Sequence, residues 1–172
     1  MSGAVLIRRG VESDAVALLS MWDRAVAWLV ARGQTMQWGT EPVSERPGSR
    51  ERALAWATSS MMRVAELDGE AVGISVIGDV PPSHVPAIAL PETYLHFLLT
   101  DRDHAGRGIG GELVRRAVAD AREAGSEILR VDCWAGAPSL VSWYERQGFV
   151  RSDSFTVDVR GPWHGQVFEM IL

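Results

Sequence analysis

The sequence predicts one domain of the α/β or α+β class that spans residues 1–172. A chain of 172 residues with 47% hydrophobic content is long and apolar enough to bury a full core. Segments typical of strands and of helices follow one another along its whole length. No internal repeat, low-complexity segment or flexible linker divides it into separate domains.

The first half of the chain is predicted to contain two helices and three strands. Apolar residues at helical spacing indicate the first helix, which Ser13 and Asp14 cap and Gly33 ends. Asp68 and Gly69 are typical of a tight hairpin turn. In chain order the elements are a strand over residues 4–9, a helix over 13–33, a helix over 51–59, and strands over 62–66 and 71–77.

The second half opens with a proline-rich connection. Residues 79–91 contain four of the eight prolines, which favours a long loop. This loop is either a lid over a binding site or an ordered connection without such a role. Residues 93–101 carry apolar side chains on both faces and predict a central strand. The remaining elements are a helix over 106–124, a strand over 127–134, a helix over 139–147, and strands over 149–159 and 166–172 joined through Gly161 and Pro162.

The overall charge argues against several classes of partner. A formal charge of −5 offers no basic face for nucleic acid, although all 17 basic residues are arginine. No window approaches 18 apolar residues and no leader pattern opens the chain, so we expect a cytoplasmic protein without a membrane span. Cys133 is the only cysteine and the four histidines show no metal spacing, so no metal site is expected.

The segment AGRGIGGELV, residues 105–114, places four glycines at the start of a predicted helix. Each glycine in a helix costs up to about 1 kcal/mol relative to alanine, so four of them indicate a compensating role. One interpretation is an anion site, because a helix start presents unpaired N–H groups that can hold a diphosphate. The other is a tight, closely packed turn between a strand and a helix, and the glycines alone do not separate the two.

Two known glycine loops were compared with this segment. Gly106, Gly108 and Gly111 fit the G-x-G-x-x-G fingerprint of dinucleotide-binding folds, and Asp132 lies near the expected acidic position. However, too little chain follows for a second nucleotide-binding half, and the last strands are typical of an antiparallel ending. A phosphate loop of the G-K-[ST] type is excluded because the chain contains no lysine.

The run LLTDRDHAGRGIGGELV, followed some thirty residues later by SWYERQGF, resembles the GNAT superfamily of acetyl-CoA-dependent N-acetyltransferases. The family motifs are R/Q-x-x-G-x-G/A after a central strand and an aromatic-Tyr-x-x-x-Gly-Phe helix end. The resemblance covers residues 93–150, and the order of elements fits the same family. It implies a mixed, mostly antiparallel sheet with a splayed central parallel pair, flanked by helices.

The resemblance also implies a cofactor site for acetyl-CoA. The backbone of Leu98, Leu99 and Thr100 would pair with the pantetheine arm as though it were another strand. Amides of the glycine loop would hold the diphosphate, with Arg107 adding a positive charge. The family's Arg or Gln at the head of the motif is Ala105 here. The loop residues assigned to the cofactor are Ala105, Gly106, Arg107, Gly108, Ile109, Gly110 and Gly111.

Two residues are candidates for proton transfer. Tyr144 matches the family tyrosine that protonates the sulfur of coenzyme A, whereas the alternative is a buried tyrosine packed beside Phe149. His96 is the candidate base, directly or through water, and its strand is similar to that of arylalkylamine N-acetyltransferases; a core histidine is the alternative. Tyr94 stands where many family members have a catalytic Glu. Cys133 as an acetylated nucleophile is disfavoured because the family transfers the acetyl group directly.

The predicted function is acetyl transfer from acetyl-CoA to a primary amine of a small molecule. Trp38, Tyr94 and Trp134 are candidates to line the acceptor site, although core packing explains tryptophans equally well. Protein amines remain possible acceptors, and dimerisation in the family makes a homodimer a candidate assembly. Two alternatives stay open, an acyl-CoA-binding sensor without turnover and a nicotinamide-dependent reductase.

Overall fold

The computed structural model describes residues 3–172. These residues form seven strands and four α-helices, with short 3-10 turns at Val43–Glu45 and Arg102–His104. The strands are β1 Leu6–Arg9, β2 Met62–Leu67, β3 Glu70–Gly78, β4 Glu92–Thr100, β5 Ile128–Trp134, β6 Val150–Asp158 and β7 Pro162–Ile171. The helices are α1 Asp14–Val30, α2 Ser49–Thr58, α3 Ile109–Glu123 and α4 Pro138–Arg146.

The strands are hydrogen-bonded in the order β1-β2-β3-β4-β5-β7-β6. The neighbours β4 and β5 are parallel, whereas β1–β2, β2–β3, β5–β7 and β6–β7 are antiparallel. The parallel ladder ends at the pair Leu95 and Val131, although β4 continues to Thr100 and β5 to Trp134. A mostly antiparallel sheet with a splayed central parallel pair and flanking helices is therefore confirmed.

Contacts within the chain divide it into two compact units. The first unit runs to Val76 and takes in Phe97–Leu113, and the second comprises Ile77–His96 and Val114–Leu172. Each unit therefore contains one part of β4. The prediction of a single domain over residues 1–172 stays a prediction.

The core of the first unit lies between α1, α2 and the strands β2 and β3. Phe97 of β4 packs among three tryptophans, with its ring 4.5 Å from that of Trp22 and 5.4 Å from that of Trp56. The hairpin between β2 and β3 turns at Asp68 and Gly69, whose φ angles of 52° and 87° are those of a type I′ turn. The predicted hairpin is thus confirmed.

Gly73 of β3 sets how closely α3 approaches the strands of the first unit. A Cβ atom at this position would lie 2.8 Å from Ile109 Cγ2 and 3.1 Å from Leu113 Cδ1. It would also lie 3.3 Å from the carbonyl oxygen of Leu99. The first turn of α3 therefore rests directly on the backbone of β3 because the residue there has no side chain.

The second unit is built on β5, β7 and β6. Val167 and Phe168 of β7 are fully buried, whereas β6 is mostly exposed at the edge of the sheet. A Cβ atom on Gly165 would lie 2.2 Å from Cζ of Phe155, so the Phe155 ring covers the backbone of β7 there.

Two predicted boundaries were wrong. The helix predicted from residue 106 begins at Ile109, because Gly106 and Gly108 adopt φ angles of 80° and 75° outside the helical region. The last strand begins at Pro162, not at residue 166, because pairing with β6 extends to Asp158 opposite Pro162. Proline is tolerated there as the first residue of a strand.

Ser13 occupies the N-cap position of α1 as predicted, but its capping role differs from the expected one. Ser13 makes no capping hydrogen bond with its side chain. Instead, Asp14 Oδ2 accepts a hydrogen bond from the Val11 N–H at 2.8 Å, and the Asp14 carboxylate forms an ion pair with Arg8. Among residues 3–172, no helix is both long and apolar enough to cross a membrane.

Candidate active site

The glycine loop of the first unit connects β4 to α3 through residues 101–108. Gly106 and Gly108 have positive φ angles, a backbone conformation that favours glycine. A Cβ atom at either position would meet no other atom within 4 Å, so the space beside the loop is open. Residues 105–108 are all exposed. Open space beside Gly106 and Gly108 shows that close packing does not require these two glycines, whereas their positive φ angles fit a tight turn.

The amides at the start of α3 are available to a ligand. The first hydrogen bond of the helix runs from the Glu112 N–H to the Gly108 carbonyl at 3.1 Å. Across the described residues 3–172, no amide of residues 106–111 donates to a carbonyl of the protein. An α-helix leaves its first four N–H groups without a partner inside the helix, and these groups form a positive pole. The loop can therefore hold an anion such as a diphosphate.

Asp101 stabilises the beginning of the loop through hydrogen bonds. Its N–H donates to the Val72 carbonyl at 2.8 Å, which ties the end of β4 to β3. Its carboxylate accepts hydrogen bonds from the Asp103 N–H at 3.0 Å and from Arg24 at 2.6 Å. These contacts fix the entry to the loop, and the sequence analysis did not identify Asp101 as part of it.

A second group of candidate residues lies on one face of β4 and β5 in the second unit. Tyr94 stands opposite Arg130 in the parallel register, and side chains two residues apart share a face. Arg130 is fully buried and donates to Glu92 Oε2 at 2.8 Å and to the Pro86 carbonyl at 2.9 Å. This buried ion pair anchors the proline-rich segment 79–91 to the strands.

Tyr94 and Asp132 form the next contact along the same face. Tyr94 is 1% exposed, and its hydroxyl donates a short hydrogen bond to Asp132 Oδ1. Burial raises the pKa of Tyr94, and the Asp132 charge raises it further. Burial also raises the pKa of the Asp132 carboxyl, whereas the hydrogen bond from Tyr94 and the charges of His84 and His96 oppose that rise. The carboxylate is thus held in place by a hydroxyl that stays protonated.

His96 is the last residue of this face within the second unit. Its side chain is half-buried, and its ring centroid lies 5.3 Å from that of Tyr94. Burial lowers the pKa of His96, while the Asp132 charge and a hydrogen bond to the backbone of Val80 act in the opposite direction. The imidazole is therefore neutral at neutral pH and able to accept a proton.

Tyr144 lies on α4 and is buried against aromatic rings. Its ring centroid is 5.8 Å from Phe149 and 5.4 Å from Phe168. Burial raises the pKa of its hydroxyl, and Cys133 and Asp132 add to the rise. No hydrogen bond from this hydroxyl is found within residues 3–172. Tyr144 is therefore a protonated phenol whose proton has no acceptor in the described chain.

Cys133 is unsuited to act as a nucleophile. It is buried, and burial together with the Asp132 charge raises the pKa of its thiol to about 12. The thiolate is the reactive form, so about one molecule in 10⁵ is reactive at pH 7. Burial and the raised pKa therefore disfavour Cys133 as an acetylated nucleophile, which stays a prediction.

The two predicted tryptophans have different surroundings. Trp38 is half-buried in the first unit, with its ring centroid 5.8 Å from Trp22 and 6.3 Å from Phe97. Trp134 is half-buried at the end of β5, and its ring lies over Gly136, where a Cβ atom would be 2.3 Å from Cζ2. Both rings remain partly exposed, and their role in acceptor binding stays a prediction.

The remaining predicted residues follow the expected alternation along β4. Leu98 and Thr100 are half-buried, whereas Leu99 is buried. Within residues 3–172, no group of His, Cys, Asp and Glu side chains has the arrangement of a metal site. Sequence reasoning missed the pairing of Asp132 with Tyr94, because it depends on the register of two strands, and the two residues are 38 positions apart in the chain.

Comparisons with known proteins agree with this geometry. The model of the acetyltransferase (GNAT) family matches residues 22–149. A search of curated proteins found no match to the chain.

Solved structures of low sequence identity share the fold. A ribosomal-protein-alanine N-acetyltransferase from Brucella melitensis is 22% identical, with 97% of this chain and 99% of that chain covered and a TM-score of 0.72. The protein yncA from Salmonella typhimurium, solved with its cofactor acetyl-CoA, is 17% identical, with coverages of 98% and 94% and a TM-score of 0.71. A polyamine N-acetyltransferase from Drosophila melanogaster, which forms N-acetylagmatine, is 19% identical, with coverages of 98% and 100% and a TM-score of 0.66.

The sheet topology and the family match distinguish a dinucleotide-binding fold from an acetyltransferase fold. A dinucleotide-binding fold needs a mostly parallel sheet, and β4 and β5 are the parallel neighbours in a sheet whose other described pairings are antiparallel. The family model covers well over half of the 172 residues, including the glycine loop and all of α4. The chain therefore belongs to the acetyltransferase (GNAT) family.

Proposed function

We propose that the chain is one acetyltransferase domain that moves an acetyl group from acetyl-CoA to a primary amine of a small molecule. The observation that carries this proposal is the glycine loop, in which amides of residues 106–111 have no acceptor in the described chain and open space lies beside Gly106 and Gly108. Acetyl-CoA supplies the activated acetyl group as a thioester.

The loop residues fit a diphosphate group. Amides of residues 106–111 donate to phosphate oxygens at the positive end of α3. Arg107 is exposed and adds a cation without blocking the amides. Ala105, in place of the family's Arg or Gln, removes one side chain and none of the backbone donors. The amides therefore provide most of the diphosphate binding.

The backbone of β4 is proposed to hold the rest of the cofactor. Leu98 and Thr100 pair with the pantetheine arm in the manner of a β-strand, with Leu99 fixing the strand from its buried face. The Leu98 N–H polarises the thioester carbonyl, as the resemblance implies. Strand pairing of this kind aligns the arm without requiring particular side chains.

Tyr144 and His96 are proposed to transfer the protons. His96 is neutral at neutral pH, because burial lowers its pKa, and accepts the proton that the amine loses. Tyr144 keeps its proton at neutral pH, because burial raises its pKa, and donates it to the departing sulfur. Each group is thus in the protonation state that its role requires.

The acceptor is proposed to be a small cationic amine. The formal charge of −5 attracts cations over long range, and Trp38, Tyr94 and Trp134 are the proposed contacts for the apolar part of such a molecule. Related structures include both a polyamine N-acetyltransferase and an enzyme named for alanine of a ribosomal protein. An amine panel must therefore include polyamines, arylalkylamines and an N-terminal alanine peptide.

Two measurements test this function. Acetyl-CoA at 100 times its dissociation constant stabilises the protein by about 2.7 kcal/mol, which corresponds to a rise in Tm of roughly 5–10 °C. Release of free thiol with one of the amines then shows turnover. Stabilisation without thiol release from any amine supports the sensor, stabilisation by NAD or NADP instead supports the reductase, and no stabilisation contradicts all three.

A further inference from the structure

His96 and Asp132 occupy equivalent positions on neighbouring strands. The parallel ladder of β4 and β5 ends at Leu95 and Val131, and His96 and Asp132 are the next residues on each strand. Alternation places His96 on the same face as Tyr94, and Asp132 on the same face as Arg130, the residue opposite Tyr94. The side chains of His96 and Asp132 therefore lie on the same face of the two strands, one residue beyond the last backbone pair.

Tyr94 contacts both the Asp132 carboxylate and the His96 imidazole. Its hydroxyl donates to Asp132 Oδ1, and its ring lies 5.3 Å from the His96 ring. Within residues 3–172, no donor is found for the other oxygen, Oδ2. The carboxylate is thus held by one oxygen, and its second oxygen is available to a cation.

Other charged or titratable groups surround this pair. The proline-rich segment contributes His84, whose charge acts on Asp132. The α4 helix contributes Tyr144, and β5 contributes Cys133; both are protonated at neutral pH because Asp132 and burial raise the pKa of each group. The Arg130 guanidinium donates its hydrogen bonds to Glu92 and to the Pro86 carbonyl. His96 and His84 are therefore the two histidines whose charges act on Asp132.

We propose that Asp132 is a positioning residue that stabilises the protonated form of His96 and so makes this half-buried histidine an effective proton acceptor. The family carboxylate expected at position 94 is replaced by tyrosine, and the neighbouring strand supplies a carboxylate through the hydroxyl of that tyrosine. This inference rests on the proposed function, because it concerns the proposed base.

The proton balance of the step is simple. The lone pair of an imidazole nitrogen on His96 takes one proton from the ammonium form of the acceptor, which leaves a neutral amine and an imidazolium. Asp132 acts on the imidazolium through its charge and forms no bond to the transferred proton. Water removes the proton from His96 after turnover, which restores the neutral ring.

The test is an NMR titration of the histidine rings in the protein without any ligand. His96→Ala identifies the His96 signal, and His84→Ala identifies and removes the nearby second histidine. In Asp132→Asn the His96 midpoint is expected to move to lower pH than in the parent, because the opposing charge is lost. Asp153→Asn, at an exposed position on β6, is the matched control and is expected to leave the midpoint unchanged.

A reciprocal titration covers the case in which Asp132→Asn does not fold. Coupling between two sites is mutual, so removing the imidazolium in His96→Ala is expected to raise the pH midpoint of the Asp132 titration. The NMR signal of the Asp132 carboxyl carbon reports this midpoint. An unchanged His96 midpoint in Asp132→Asn, an equal shift in Asp153→Asn, or an unchanged Asp132 midpoint in His96→Ala overturns the inference. These readouts need no turnover, so absence of thiol release with every amine contradicts the proposed function alone.

Discussion

The glycine loop presents backbone groups, whereas the polar face of β4 and β5 presents side chains. The loop, residues 105–108 with the start of α3, is exposed and presents backbone amides beside residues without side chains. The polar face is half-buried or buried, and consists of side chains that hold one another, with Tyr94 bound to Asp132 and Arg130 bound to Glu92. The first region suits the binding of an anion, and the second suits the movement of protons.

This difference predicts that binding and chemistry can be separated by mutation. Backbone donors do not titrate, so a loop site holds its ligand with little dependence on pH. Buried side chains shift their pKa values, and a site made of them depends on pH. Changes in the loop should therefore act on cofactor affinity, whereas changes on the polar face or at Tyr144 should act on turnover.

The largest effect is expected from Gly108→Glu. A carboxylate would enter the open space at the amides and repel a diphosphate, so affinity for acetyl-CoA should fall by about 10³-fold or more through loss of charge-assisted hydrogen bonds. Isothermal calorimetry measures this change. Gly33→Glu is the matched control, because Gly33 also has a positive φ of 69° with open space beside it. Equal affinity in Gly108→Glu and parent would exclude the loop as the cofactor site.

The next effect is expected from Tyr144→Phe. Loss of a general acid should lower kcat by about 10²–10³-fold, while acetyl-CoA affinity stays within about twofold of the parent. Steady-state thiol release and calorimetry give the two quantities. The ring packing against Phe149 and Phe168 is retained in Phe, so stability should change little. If kcat is the same in both proteins, Tyr144 has no role as the acid.

His96→Ala is expected to remove the acidic limb of the pH profile. In the parent, kcat/KM should fall as the pH drops through the pKa of His96, which burial holds below its ordinary value. The variant should lose about 10²-fold in kcat/KM at neutral pH and show no such limb. A limb that persists in the variant would assign the base to another group.

The smallest effect is expected from Gly73→Ala. The new methyl group would lie 2.8 Å from Ile109 Cγ2, so the first turn of α3 must shift. Overpacking of this size costs about 1–3 kcal/mol, which lowers Tm by a few degrees and should weaken cofactor binding less than Gly108→Glu does. Differential scanning calorimetry measures the change. A Tm equal to that of the parent would show that α3 does not depend on this contact.

The elements of the fold could be predicted because local patterns determine them. The hairpin at Asp68 and Gly69 and the apolar strand β4 both follow from residue type and spacing. The start of α3 could not be predicted, since only the backbone angles show that Gly106 and Gly108 lie outside the helix. The start of β7 at Pro162 depends on pairing with β6, which local sequence does not encode.

The two halves of the candidate site differ in the same way. Glycines mark the loop in the sequence, so its location was predictable from residues 105–111 alone. The contact between Tyr94 and Asp132 depends on the register of β4 and β5, and no motif marks it. Residues proposed to act through the backbone were thus easier to find than residues proposed to act through a partner on another strand.

The central claim is that the amides of residues 106–111 hold the diphosphate of the cofactor. Titration of ¹⁵N-labelled protein with coenzyme A tests it most directly, because each amide reports its own hydrogen bonding. We expect the amide signals of residues 106–111 to shift together and to saturate with one dissociation constant. Saturable binding that leaves these signals in place, or no saturable shift at any amide, would contradict the claim.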